Sequence, residues 1–509
     1  MGISALDVGL AVLGLWLLKR ILTPRPAAPL PPGPKGLPLI GNVLDMPTSH
    51  EWITFTKWAK QYGGLVHVNL LCQPFIILNS HEKAFEMLDQ KSAIYSDRPV
   101  FVMCSELVGW KHTLALTGYG ERFREYRRML HRLMGTHVLV EKFHPIEELE
   151  THRFLRRVLE EPDNLQAHIR KMAGAIILKI AYGYKIKEGD DPLVKNVEIA
   201  IGDFSEAVAP GAFFVDVLPI LRYVPGWLPG TAWKQVAKLW RNNLMTMVEM
   251  PLAFVKQQMA TGQALPSFTS SYLENPDMNA EKEHIVKWAA ASLYSGGADT
   301  TVSVTYSLFL ALALHPEVQR KAQAEIDAVI GPDRLPTFKD RDRLPYVEAL
   351  VKEILRWNPV GPLGVPHRLT EDDLQDGYLI PKGSIVVANI WKFLHDEETY
   401  VDPLAFNPDR FMPSAGKEPE VDPRTYVFGF GRRVCPGSNL ADASIFISVA
   451  MVLAVFDVSK TIENGRVIEP VVEYTGTTIS HPKPFKCSVK PRSEKAAALV
   501  NSVHFNSEE

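Results

Sequence analysis

The apolar positions of this chain fall into blocks that predict a mainly helical protein with little strand. Residues 3–18 are almost wholly apolar, with Asp7 the charged exception, and Lys19, Arg20 and Arg25 follow. The uninterrupted part, 8–18, is shorter than the roughly 17–25 residues of a membrane span. Adding 3–6 and 21–22, with the basic side chains reaching back to the surface, brings a span within reach. A longer block, 283–314, lacks proline, is rich in Ala, Leu and Val, and stops at Pro316. At about 1.5 Å per residue such a helix crosses a whole domain. A helix is expected over 51–62 and short strands at 66–69 and 75–79. Helices then dominate to about residue 360, strand-like segments return at 379–388, and an apolar helix follows Cys435. The polar stretch from Arg492 onward reads as a disordered tail.

Prolines and charge refine this layout. Thr23–Gly36 holds six prolines, which lock φ and remove donors, so it reads as a stiff spacer. The expected organisation is an anchor helix at 1–22, a linker at 23–41, one catalytic unit at 42–491 and a tail at 492–509. Basic residues on the C-terminal side of the anchor put the body of a single-pass protein in the cytosol. A cleaved signal peptide is the competing reading, although no basic stretch precedes the apolar run and no small-x-small site follows it. The 509 residues carry a net charge of −3 and no long Lys/Arg run, which argues against nucleic acid as a partner. Cys72, Cys104, Cys435 and Cys487 lie far apart without CxxC spacing, so neither a zinc site nor a disulfide framework is indicated.

Cys435 carries the chemistry. It sits in Phe428-Gly429-Phe430-Gly431-Arg432-Arg433-Val434-Cys435-Pro436-Gly437, just before the apolar helix. Gly431 and Gly437 allow tight turning and close approach of the backbone to a flat object. Backbone N–H groups and the start of the next helix favour a sulfur anion, and one thiolate facing a large cofactor suggests haem ligation. The run resembles the haem-binding signature of the cytochrome P450 family. The likeness spans about 31–490 with motifs in the expected order. It implies a mainly α fold with a minor β region, the cytochrome P450 fold, and haem b (iron-protoporphyrin IX) as cofactor.

Three further constellations agree. Within the long helix lies Ser295-Gly296-Gly297-Ala298-Asp299-Thr300-Thr301. Two glycines there cost roughly 1 kcal/mol each against alanine, so local preference is overridden. The segment resembles the family's oxygen-activation motif. That implies room for cofactor and small ligand at Gly296 and Gly297, a hydrogen bond from Thr300 toward dioxygen, and proton relay by Asp299. A helix–helix contact with a back-bonded threonine is the plain alternative. Glu353 and Arg356 share one helical face, with Arg410 as third member. They resemble the family's E-x-x-R and P-x-R-F elements and are assigned to the scaffold. For the haem propionates the resemblance implies Arg433, Arg127, His367 and Arg98, with Phe428 beside the cofactor. Phe123 stands where the family usually has a tryptophan donor.

The reading is a membrane-anchored haem-thiolate monooxygenase that hydroxylates or epoxidises an apolar small molecule with O₂, in a style similar to fungal secondary metabolism. Too little chain follows Cys435 for a flavin reductase, and no G-x-G-x-x-G fingerprint is present, so electrons are expected from a separate NADPH–cytochrome P450 reductase. Arg122, Arg124, Arg127, Arg128 and Arg132 form either a solvated helix face or a docking surface for that acidic donor. By analogy, residues 100–114, 204–227, 289–297, 360–365 and 475–478 face substrate, with Phe213, Phe214 and Val365 apolar. Two rivals are an NADPH-independent isomerase or dehydratase acting on peroxides, and a haem sensor or carrier without turnover.

Overall fold

Capping and apolar periodicity set the elements that surround the site. The computed structural model describes residues 28–502 apart from Pro210, Ala415 and Lys417. The expected anchor at 1–22 and the first part of the linker lie outside the described residues. The elements used below are helix α1 (Glu51–Tyr62), strands β1 (Leu65–Leu70) and β2 (Gln73–Leu78), helices α2 (Glu121–Met134), α3 (His144–Glu160), α4 (Leu165–Tyr182), α5 (Pro192–Ala207), α6 (Trp233–Ala260), α7 (Ala280–Leu314), α8 (Pro316–Val329) and α9 (Pro345–Trp357), strands β3 (His367–Arg368) and β4 (Ile385–Ala388), helix α10 (Ser438–Val455), strands β5 (Phe456–Lys460) and β6 (Cys487–Pro491), and helix α11 (Glu494–Ser502).

The long helix forms as expected and starts three residues earlier. The Asn279 side chain accepts from the Lys282 N–H, and Glu281 and Glu283 face the positive end of the helix dipole. His315–Pro316 ends it. Its middle and C-terminal parts are almost wholly buried, which is why its apolar residues show no single stripe. It packs on α4, α5 and α10. Among the described residues, α7 and α10 are the helices long and apolar enough to cross a membrane, and both are mostly buried inside the protein.

The β region is small. One four-stranded sheet runs β1–β2–β4–β3; β1/β2 and β3/β4 are antiparallel, and β2/β4 are parallel. The strand-like segment at 379–388 divides in two. Tyr378–Ile380 pairs with Asp373–Gln375, and Gly383 at φ +85° turns the chain into β4. β5 and β6 pair separately.

The expected disordered tail is corrected over its described part, up to residue 502. Residues 494–502 form α11, whose Ala496 and Val500 are buried. These two are four apart and make a narrow apolar stripe that docks on α3 and α10. Overall polarity masked that stripe.

Candidate active site

The loop before α10 is held by three contacts that its residue types dictate. Gly429 and Gly431 adopt φ +78° and +51°. A Cβ at Gly431 would overlap the Leu88 carbonyl oxygen, and its N–H donates to Asp89 Oδ2 at 2.9 Å. Only glycine serves there. Gly437 differs from expectation. Its φ is −95°, and an added Cβ would meet only Met134 at ordinary contact distance. The Cys435 N–H donates to the Phe428 carbonyl at 2.7 Å, which closes the loop. Arg127, from α2, donates to the Val434 carbonyl at 2.6 Å.

Cys435 is surrounded by protein, yet its side chain keeps accessible surface. Burial pushes its thiol up, while the Gly437 N–H and the Arg127 charge pull the other way. A bound metal cation would reverse that balance and hold the sulfur as thiolate.

A cluster of basic side chains stands beside the loop. Arg98 is buried, and its guanidinium donates to the carbonyls of Ala115, Val365 and Pro366 at 2.8–2.9 Å. Arg433 donates to Ser96, Leu114 and Thr117 carbonyls and lies 3.8 Å over the Phe123 ring. Phenylalanine at this position thus offers a stacking face in place of an indole donor. His367 Nδ1 lies 2.8 Å from the Tyr95 carbonyl oxygen. Burial and the Arg433 charge hold Arg98 well below its usual range; burial and Arg98 do the same to His367. Burial pulls Arg433 down to about 10. The acid that Arg98 and Arg433 feel, Asp97, is already taken by Arg368 and the Tyr119 N–H. Such a cluster fits an anion with buried carboxylates, which would offset the mutual repulsion. A soft sulfur donor and nearby cations without a free acid are the donor set a haem needs. Arg127 stands slightly apart, bonded to the loop, although its charge still reaches Arg433.

The middle of α7 carries the glycine–threonine segment. Gly296 is exposed inside an otherwise buried helix, and nothing lies within 4 Å of where its Cβ would be. The Thr300 hydroxyl donates to the Gly296 carbonyl at 2.7 Å. Gly297 does different work from that expected. A Cβ there would come within 2.8 Å of Ile177 on α4, so this glycine permits close helix packing. Asp299 is buried and uses both oxygens: Arg170 donates to Oδ1 at 3.3 Å, and His481 Nε2 lies 2.9 Å from Oδ2. Neither partner was singled out from the sequence, because they lie 129 and 182 positions away.

The scaffold network is complete. Arg356 and Glu353 have no accessible side-chain surface and pair at 2.7 Å. Arg410 approaches Glu353 at 3.2 Å and Glu420 at 2.6 Å. Asp409 instead faces solvent and pairs with Lys321. On α2, Arg122, Arg124, Arg128 and Arg132 are exposed while Arg127 turns inward. In the segment expected to face substrate, Phe213 packs on Trp240 at 5.6 Å, but Phe214 is 76% exposed and points to solvent.

Comparisons with known proteins point to one family. The sequence profile of the family described as Cytochrome P450 matches residues 31–489. The chain is 57% identical to cytochrome P450 monooxygenase 208 of Postia placenta, over 98% of each chain. It is 48% identical to cytochrome P450 monooxygenase claR of Ampulloclitocybe clavipes, over 98% of this chain and 93% of that one. It is 42% identical to cytochrome P450 monooxygenase ppsD of Aspergillus oryzae, over 97% and 95%.

Proposed function

The chain belongs to the cytochrome P450 family and is a haem-thiolate monooxygenase, and from that premise we propose which of its residues do the work and on what. Cys435 is the thiolate ligand of haem b. Arg98, Arg433 and His367 take the propionates, with Arg127 securing the loop from below. When bound, the haem supplies activation of O₂ and transfer of one oxygen atom. The protein's part is binding, orientation and proton supply. Gly296 leaves space at the α7 wall. Thr300 donates its hydroxyl proton toward the reacting oxygen once it releases the Gly296 carbonyl. Asp299 follows as the proton source behind it. Glu353, Arg356 and Arg410 fix the segment that leads into the cysteine loop and take no part in the chemistry.

The substrate is an apolar small molecule, hydroxylated or epoxidised, in fungal secondary metabolism. Electrons come from an NADPH–cytochrome P450 reductase. It docks on the exposed arginines of α2, whose inward-facing Arg127 touches the Cys435 loop. Residues 1–22 anchor the protein in the endoplasmic reticulum membrane with its body in the cytosol. One observation supports the reading most: the Cys435 sulfur, the guanidinium groups of Arg98 and Arg433 and the buried imidazole of His367 gather at the same loop, with burial pulling both arginines down.

The test is an optical screen of the haem-loaded protein with terpenoid, steroid, polyketide and indole compounds. A low-to-high-spin shift identifies binders, and product analysis with reductase and NADPH follows. Oxygenated product that depends on NADPH is the expected result. Turnover of hydroperoxides without NADPH, and none with it, would overturn the reading in favour of the peroxide rearrangement.

A further inference from the structure

The turn at 474–481 is laced onto the long helix beside Asp299. Ser303 donates to the Ser480 carbonyl at 2.6 Å, and the Tyr474 hydroxyl donates to Ser307 at 3.0 Å. The Ser480 N–H donates to Val360 at 2.8 Å, the first residue of another segment assigned to substrate contact. Inside the turn, the Thr475 N–H donates to the His481 carbonyl, and the His481 N–H donates to Thr475 Oγ1. His481 is therefore a fixed strut between this turn and Asp299, at 2.9 Å from Oδ2.

Asp299 has no free oxygen. Arg170 holds Oδ1 and is itself tied to Glu198 at 3.4 Å. Proton transfer from the carboxyl requires one of these two bonds to yield. Arg170 stays charged and cannot supply a proton, whereas an imidazole can exchange one. Burial alone would push Asp299 up, but the His481 hydrogen bond and the charges of His481 and Arg170 hold it below the usual carboxylate range. His481 is thus the partner whose movement decides what Asp299 does.

We propose that His481 is a positioning residue of the oxygenation reaction, a strut through which the substrate-facing turn at 475–478 sets the orientation of Asp299. The proposal rests on Asp299 being the proton source. Substrate pressing on the turn shifts Thr475, Thr475 shifts His481, and His481 releases or holds Oδ2. Proton supply is thereby matched to an occupied site, so that reducing equivalents end in product and not in hydrogen peroxide.

The experiment uses the full-length, haem-loaded protein with reductase, NADPH and the panel compound that gives product. Product and peroxide per NADPH are measured for wild type, Asp299→Asn, His481→Ala, His481→Gln and the double variant Asp299→Asn/His481→Ala. The carbon monoxide spectrum confirms a loaded site in each. His481→Ala should lower product per NADPH about ten-fold, with peroxide rising to match, as for a residue acting on proton supply. Gln keeps an N–H donor at similar reach and should restore most of the coupling. In the Asp299→Asn background, His481→Ala should have no further effect. Urea unfolding of the same four corners should show non-additivity between 299 and 481, independently of turnover. Wild-type coupling in His481→Ala beside an uncoupled Asp299→Asn would overturn the proposal, as would additive losses or no rescue by Gln. Unchanged coupling in Asp299→Asn would instead overturn the proton role of Asp299 itself.

Discussion

Replacing Arg356 by lysine keeps the charge and should still unravel the scaffold. Arginine has five N–H donors, and all five are used here. Nε and one Nη donate to Glu353, and the others reach the carbonyls of Leu394, Pro403 and Ala405. None of this side chain is accessible to water. Lysine brings three donors on a single nitrogen; paired with Glu353, that nitrogen leaves the Leu394 and Pro403 carbonyls without a donor, while Ala405 keeps Arg410. At about 1–3 kcal/mol for each buried group left unpaired, the loss is roughly 2–6 kcal/mol. That is a large share of the about 5–15 kcal/mol by which folded proteins are stable. The assay is urea unfolding of the haem-loaded protein, followed by Soret absorbance and far-ultraviolet circular dichroism. Arg432→Lys is the control, because Arg432 is exposed, and it should stay within about 0.5 kcal/mol of wild type. An Arg356→Lys protein as stable as that control would refute the reasoning that geometry, not charge, makes this site.

Thr300→Ala should keep haem and NADPH oxidation while diverting electrons from product to hydrogen peroxide; unchanged coupling would remove the proton-delivery assignment. Gly431→Ala, at φ +51° and against the Leu88 carbonyl, should sharply reduce the carbon monoxide-binding fraction, read as haem per protein, while Gly437→Ala should change it little. Glu147 is buried and pushed up to about 8, chiefly by burial, with its Ser444 hydrogen bond opposing. The folded state therefore holds a proton that the unfolded state has released. Stability should be full below about pH 4.5 and fall as pH rises towards 8, by about 3 kcal/mol at pH 7. The unfolding free energy from urea titrations should fall between pH 5 and pH 8 by about that much more in wild type than in Glu147→Gln.

The parts of the fold and site that were legible in the sequence share a physical cause. Each is encoded within a few neighbouring residues. The long helix carries its cap, its apolar interior and its terminating proline in one stretch, so its limits came within three residues. The cysteine loop is equally local, though the glycines that need positive φ are Gly429 and Gly431, not Gly437. What was hidden depends on partners far along the chain. Gly297 faces Ile177 across a helix contact, and Asp299 is gripped by Arg170 and His481. The apolar stripe of α11 rests on two residues, Ala496 and Val500, that a polar composition conceals. Arg433 lying over Phe123 shows how the missing tryptophan is accommodated, which no local pattern announces.

Carbon monoxide difference spectroscopy of the dithionite-reduced protein reads sulfur ligation at position 435 directly. The wild type should show the red-shifted Soret band of a thiolate-bound haem, and Cys435→Ala should lose it. A wild-type spectrum without that band, or an alanine variant that keeps it, would contradict the assignment.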